Sequence, residues 1–207
     1  TPTPTPTATA TPTATPSPTP SPTLTFTATA TATLTPTATV TPSPTLTPTS
    51  FPVLSVVIND VAWAGTTASS ADEWLELHNP GSTAVDLAGW RLTDGGDVNI
   101  TLNGVIPAGG YLLLERTDDT TVADVAADSI YTGSLNNDGE RLTLLDPAGN
   151  VVDTANGDGG GWPAGSSATR ASMERVSVTL VDSDANWSAN DGAHRNGADA
   201  AGNAMNG

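Results

Sequence analysis

The sequence predicts an all-β domain built as a sandwich of two sheets, behind a long extended N-terminal tract. Three observations carry this reading. From residue 53 to about 190, apolar and β-branched runs of four to eight residues recur, bounded by Gly, Pro, Asn and Asp. No segment shows a helical period of useful length, and seven to nine short runs at this spacing suit two packed sheets. Ahead of them, every odd position from Thr1 to Thr49 is Thr or Ser.

The predicted strands, in order, are LSVVINDVAW, EWLELHN, VDLAGWRLTD, VNITLNG, YLLLERT, SIYTG, ERLTLLD, NVVDTA and SMERVSVTL. In the second, alternation sends Leu75 and Leu77 to one face and Trp74, Glu76 and His78 to the other. In the third, Leu87, Trp90 and Leu92 share the core if a kink at Gly89 resets the phase. Leu142 and Leu144 are predicted core residues. The separators NPGS, TDGGD, IPAGG, NNDGE, DPAGN and NGDGGGWPAG are turn chemistry. NNDGE predicts a hairpin between SIYTGSL and RLTLLD. DPAGN predicts another, with Pro147 pre-setting the turn and Gly149 free to take positive φ. NGDGGGWPAG lacks Lys and a following helix, so it is no phosphate loop; it reads as a flexible connection closed by a Trp–Pro anchor.

The organisation is therefore a Thr/Pro/Ala stalk over residues 1–52, a β-sandwich over 53–190 and a polar Gly/Asn/Ala-rich segment over 191–207, expected to be a poorly ordered end. The chain begins in mid-repeat, as expected of a processed or partial product.

EWLELHNPGSTAVDLAGWRLTD resembles the opening of a bacterial lamin-tail domain. Glu73, Trp74, Glu76, Leu77 and Asn79 match its E-W-x-E-L-x-N strand, and Val85, Asp86, Leu87, Gly89, Trp90, Leu92 and Asp94 match the following V-D-L-x-G-W-x-L-x-D. IPAGGYLLL, GERLTLLDPAGNVVD, and SMER followed by Asn186 and Trp187 resemble later parts of the family in the expected order. The resemblance implies an all-β, immunoglobulin-like two-sheet sandwich, in agreement with the strand pattern. It implies no activity: the family serves as a binding module in nuclear lamins and as an accessory domain on bacterial secreted and surface proteins. The matching positions look like core and turn, so no functional site is carried over.

Charge excludes several classes. No charged residue precedes Asp60, and the remainder holds 22 acids, 6 bases and no lysine, for a net charge of −16. Such a surface repels phosphate backbones, so no nucleic-acid partner is expected, and an anionic membrane is equally disfavoured. No apolar run approaches a membrane span, so no membrane insertion is expected within this chain. Without cysteine there are no disulfides, thiolate metal sites or cysteine nucleophiles.

No catalytic constellation emerges, and a non-enzymatic protein is expected. Glu73 and Glu76 are three apart, which on a strand sends them to opposite faces, unable to converge on one substrate. His78 and His194 are the only histidines; there is no G-x-S-x-G elbow, GSSATR is a polar loop, and two histidines without cysteine cannot build an ordinary zinc site. Calcium is the best metal candidate, through Asp182, Asp184 and Asn186 at the alternating positions of an EF-hand start. The sixth position is Trp187 instead of Gly and the twelfth is Ala193 instead of Glu, so the EF-hand pattern fails. Asp, Asn and Gly also serve turns in their own right. Asn99-Ile100-Thr101 and Asn186-Trp187-Ser188 fit the N-glycan acceptor pattern.

The stalk has 12 prolines in its first 50 residues and no charge, so it can neither bury a core nor form a helix. Proline also pushes each preceding Thr toward extended geometry, giving a reach on the order of 150 Å. The composition resembles mucin-like stalks, whose hydroxyls carry O-linked sugars. The O-glycan candidates are Thr3, Thr5, Thr7, Thr9, Thr11, Thr13, Thr15, Thr19, Thr23, Thr25, Thr27, Thr29, Thr31, Thr33, Thr35, Thr37, Thr39, Thr41, Thr45 and Thr47. The period of two does not match polyproline II. In a β-like conformation it puts every Thr on one face, and Pro removes donors from one edge only. The proline-free part Thr23 to Thr35 carries Leu24, Phe26 and Leu34 on one face, a candidate strand for addition to a neighbouring sheet edge.

These features predict a non-enzymatic structural subunit of an extracellular or cell-surface fibre, with partners that are copies of itself and with covalent glycans. The alternative is an adhesion or anchoring module that recognises a glycan or protein, with calcium as its candidate cofactor, spaced from the cell or from an enzyme by the stalk.

Overall fold

A computed structural model describes residues 51–193 and 197–205. They form an immunoglobulin-like two-sheet sandwich. The strands are β1 (Val57–Ala62), β2 (Trp74–His78), β3 (Val85–Asp86), β4 (Arg91–Thr93), β5 (Asn99–Thr101), β6 (Val105–Ile106), β7 (Tyr111–Arg116), β8 (Ser129–Tyr131), β9 (Leu142–Leu145), β10 (Val151–Ala155), β11 (Met173–Arg175) and β12 (Trp187–Ala189). One sheet has the order β12-β11-β1-β2-β7-β8, the second β10-β9-β4-β5, and β3 pairs with β6 in a small ribbon.

Alternation dictates which side chains meet between the sheets. Leu75 and Leu77 on β2 face Leu114 and Leu112 on β7. Opposite them, Leu92 pairs with Leu144. All of these lie in the core with Leu142 and with Leu87 and Trp90, and the turn at Gly89 resets the phase as the sequence predicts. Each such apolar side chain contributes about 1.5–3 kcal/mol by leaving water. On β1, Ile58 and Val61 are three apart yet both fully buried in the core. A bulge between Ile58 and Asp60 makes this possible by shifting the phase of the strand.

DPAGN joins β9 to β10 as a hairpin. Asp146 Oδ1 accepts from the N–H groups of Ala148 (2.9 Å) and Asn150 (2.8 Å), and Gly149 takes φ +83°. NNDGE is a turn but not the predicted hairpin. β8 runs parallel to β7 in the six-stranded sheet, whereas β9 lies in the four-stranded one. The turn therefore carries the chain across the sandwich, because the core needs β9 beside β4, and local turn chemistry does not specify which sheet a strand joins.

The C-terminal segment also differs from its expectation. Residues 197–205 form a built corner. Asp199 accepts from the N–H groups of Ala68 (2.9 Å), Ala201 (3.0 Å) and Asn203 (2.9 Å), while Ala123 N–H donates to Ala198 O at 2.7 Å. Met205 is buried with Ala62, Trp74 and Val122 in a small second core on the outer face of the six-stranded sheet. A single apolar residue in a polar run carries no periodic signal, so this docking was invisible to pattern reading.

Candidate functional site

The residues singled out in the sequence are mostly spent on the fold. Asp182 Oδ2 accepts from Thr154 Oγ1 at 2.9 Å and from Gly157 N–H at 2.7 Å, and Asp182 Oδ1 accepts from Trp187 Nε1–H at 2.7 Å. Asn186 is buried; its Nδ2 donates to the carbonyls of Ser177, Leu180 and Val181, and its Oδ1 accepts from Ser177 N–H. Asp184 opens the short 3-10 turn and is exposed. The three side chains thus do not converge, and no three carboxylates or imidazoles among the described residues are grouped as metal ligands. Of the two N-glycan triplets, Asn99 is exposed on β5, whereas the Asn186 amide is occupied. The O-glycan candidate threonines, Leu24, Phe26, Leu34 and His194 lie outside the described residues.

Glu73 immediately precedes β2 and is a structural clamp. Its Oε1 meets Arg116 Nη1 at 3.1 Å and its Oε2 accepts from Leu135 N–H at 2.7 Å. Burial pushes its carboxyl up to about 7 against the downward pull of those two partners. His78 stacks on Tyr111 at 4.3 Å between centroids, and its Nδ1 is 3.0 Å from Gly110 O. In NGDGGGWPAG, Trp162 is the expected anchor: it stacks on Trp63, and its Nε1–H donates to Asn136 O at 2.8 Å.

The feature that sequence reasoning missed lies on the outer face of the six-stranded sheet. There Asp60 on β1 stands directly opposite Glu76 on β2 and Glu174 on β11. Three carboxylates thus form a row across three strands. Like charges in such register destabilise a sheet. The row floors a cleft of about 560 Å³. Trp74, Leu113, Val122 and Met205 line it beside the carboxylates, and Tyr111 and Val125 stand at it half exposed. Glu76 Oε1 accepts from Asn59 Nδ2 at 2.8 Å, and Glu174 Oε1 accepts from Asn190 Nδ2 at 2.5 Å. Asp60 is 6% exposed; its Oδ1 has no partner at ordinary hydrogen-bond geometry, while the Ser172 hydroxyl and the Val61 N–H draw its carboxyl down in part. Burial, then Glu174 and Glu76, hold the Asp60 carboxyl well above its usual range. Burial, with a further push from Glu174, also raises Glu76. Arg175 touches the cleft, but its guanidinium points away into the sandwich, where it meets Asp153.

Comparison with known families fixes the identity of the fold. The model of the Lamin Tail Domain matches residues 49–157. The chain belongs to the lamin tail domain family. No curated protein matches it. Membership in the lamin tail family points to a non-enzymatic module. The match ends before β11 and β12, so Glu174 and Met205 bring to the cleft residues from beyond the matched lamin tail span. One signal in the sequence pointed at the row: Glu76 alternates with two core leucines, so it had to face outward from the middle of a strand. Its partners were hidden because register, which places Asp60 and Glu174 beside it, is a tertiary property.

Proposed function

We propose that this lamin tail protein is a non-enzymatic binding module of the extracellular space or cell surface, held out by its Thr/Pro stalk. The observation that supports this best is the acidic cleft on the outer face of the six-stranded sheet. A concave site of a few hundred Å³ with apolar walls and a few polar groups is the usual form of a ligand site. From its sequence the tract is expected to supply reach, on the order of 150 Å against a radius of gyration of about 14 Å for the head, and its composition suits O-linked sugars. The test is adhesion of the full chain to glycan arrays and to extracellular protein preparations, with and without calcium, beside a chain that starts at Phe51. Equal binding by both assigns recognition to the head. No binding by either chain on any surface overturns the reading.

A second reading has its own observation. The unbroken register of Thr and Ser over the first 49 residues suits a fibre subunit whose stalk lies along neighbouring copies. Of the edge strands of the two main sheets, β5, β8 and β12 have three residues each, while β10 has five and offers the longest edge to an added strand. Electron microscopy of purified material decides: filaments support the fibre, and strictly monomeric particles with a protease-sensitive stalk sink it.

A further inference from the structure

The carboxylate row is costly to build, and the hydrogen bonds it accepts from Asn59 and Asn190 bring no positive charge to balance it. Glu76, Asp60 and Glu174 are cross-strand neighbours of one sign, in a position where sheets ordinarily place opposite charges or apolar pairs. Both ion pairs formed by the described residues lie elsewhere, at Arg116–Glu73 and Arg175–Asp153. Of the other arginines, Arg170 donates to Ala64 O, Arg91 and Arg141 are exposed on or beside strands of the opposite sheet, and Arg195 lies outside the described residues. Independently of the acidity, Asp60 Oδ1 is buried without a donor at ordinary hydrogen-bond geometry, and the Ser172 hydroxyl and Val61 N–H only partly offset the burial of its carboxyl. A buried acceptor left unsatisfied costs free energy that a donor arriving from outside recovers. A cation bearing several N–H groups supplies both missing quantities, charge and donors.

The rest of the cleft says what the cation is attached to. Beside the row lie Trp74, Leu113 and Met205, an apolar wall that suits the methylene stem of a long side chain. Tyr111 and Val125 stand half exposed at the same cleft, so a ligand larger than the inserted side chain has further apolar surface to cover. A bare divalent ion uses none of this, and the carboxylates are not grouped as metal ligands. The charge of −16 over the whole chain steers a basic partner toward it.

We infer that the cleft is a docking site for a basic polypeptide segment, which inserts a lysine or arginine side chain with its cationic head against Asp60, Glu76 and Glu174 and its stem along Trp74, Leu113 and Met205. This rests on the binding-module reading and names the class of its partner.

The test uses the full 207-residue chain and a fluorescent peptide of alternating lysine and alanine. The peptide binds, and acetylating its lysines weakens binding by about tenfold or more, the loss expected for removing charge-assisted hydrogen bonds. Glu76→Gln and Glu174→Gln each weaken it by a similar factor, while Asp138→Asn, on an exposed turn away from the cleft, leaves it within about twofold. Glu174→Gln guards against a folding artefact at Glu76, and thermal unfolding of each variant checks the fold. Equal losses from Asp138→Asn and Glu76→Gln reduce the effect to diffuse charge and overturn the assignment. So does displacement of the peptide by calcium or magnesium at its own concentration, since a bare ion uses the charge and not the apolar wall. If the chain adheres to a glycan or protein surface and Glu76→Gln changes nothing, the cationic assignment fails while the binding-module reading stands. If nothing binds at all, both fail.

Discussion

Arg175 Nη2 lies 2.5 Å from Asp153 Oδ2, with both side chains essentially inaccessible, and the pair ties β11 of one sheet to β10 of the other. Arg175 also donates through Nε to Ile58 O at 2.8 Å and through Nη1 to Leu180 O at 3.1 Å, and it lies over the Trp187 ring. Asp153 Oδ2 accepts in addition from Ile58 N–H at 2.8 Å. The ion pair thus sits inside a network that closes the bulge region of β1, where ladder pairing is interrupted.

Removing the cation alone strands a buried carboxylate. Arg175→Met is expected to destabilise the domain by about 3–5 kcal/mol, read as a shift in the denaturant midpoint. The double change with Asp153→Leu is expected to recover part of that loss, because no charge then remains buried. A loss under 1 kcal/mol for Arg175→Met would show that the network relaxes around water.

Stability is expected to peak in mildly acid solution. The carboxyl of Glu73 is raised from an unfolded value of 4.5 to about 7, chiefly by burial. The folded state therefore binds its proton more tightly, so this contribution is full below about pH 4.5 and is lost as pH rises through about 7. Asp60 and Glu76, also raised, act in the same sense. Asp146 goes the other way: against its own desolvation, hydrogen bonds from Asn150, Phe51 and Ala148 lower it to about 2. Its contribution is present above about pH 3.8 and is lost as pH falls through about 2. Thermal midpoints measured from pH 2 to 9 should fall on both sides of a maximum near pH 4–5, and Glu73→Gln should flatten the slope between about pH 6 and 8. A midpoint that rises steadily to pH 8 contradicts the assignment.

Gly139 takes φ +106°, and a Cβ built on it would collide with the carbonyl oxygen of Gly160. The approach fastens the crossing turn to the 156–162 loop, where Asn156 Nδ2 donates to Glu140 O at 3.0 Å and to Gly160 O at 2.8 Å. Gly139→Ala is expected to cost about 1–3 kcal/mol and to expose the stacked Trp162. Unchanged stability and unchanged tryptophan emission would refute it.

The C-terminal corner is expected to be part of the folded unit. Met205→Ala opens the small core over Trp74 and should cost about 2 kcal/mol, with a red shift of tryptophan emission. A chain that ends at Asn190 should lose at least as much. Equal stability of the shortened chain would make the corner an ornament.

The sandwich was legible because its evidence is local. Leu75 and Leu77, and Leu142 and Leu144, alternate with polar neighbours, and period two leaves one way to bury them. DPAGN closes its hairpin through its own Asp146 and Gly149, so sequence neighbours sufficed. NNDGE has equally good turn residues, yet the strands it joins lie in different sheets.

By itself, the sequence determined an all-β sandwich of the lamin tail kind, its main core faces, and a charge-free Thr/Pro tract set against an acidic head. These follow from composition and from the short-range periods of the chain. Only the tertiary structure decided that Asp60 stands between Glu76 and Glu174, that Arg175 reaches Asp153 across the sandwich, and that Met205 returns to roof Trp74. Those relations depend on strand register and on which sheet each strand joins. Both are set by the packing of residues far apart in the chain, whose proximity no local pattern records.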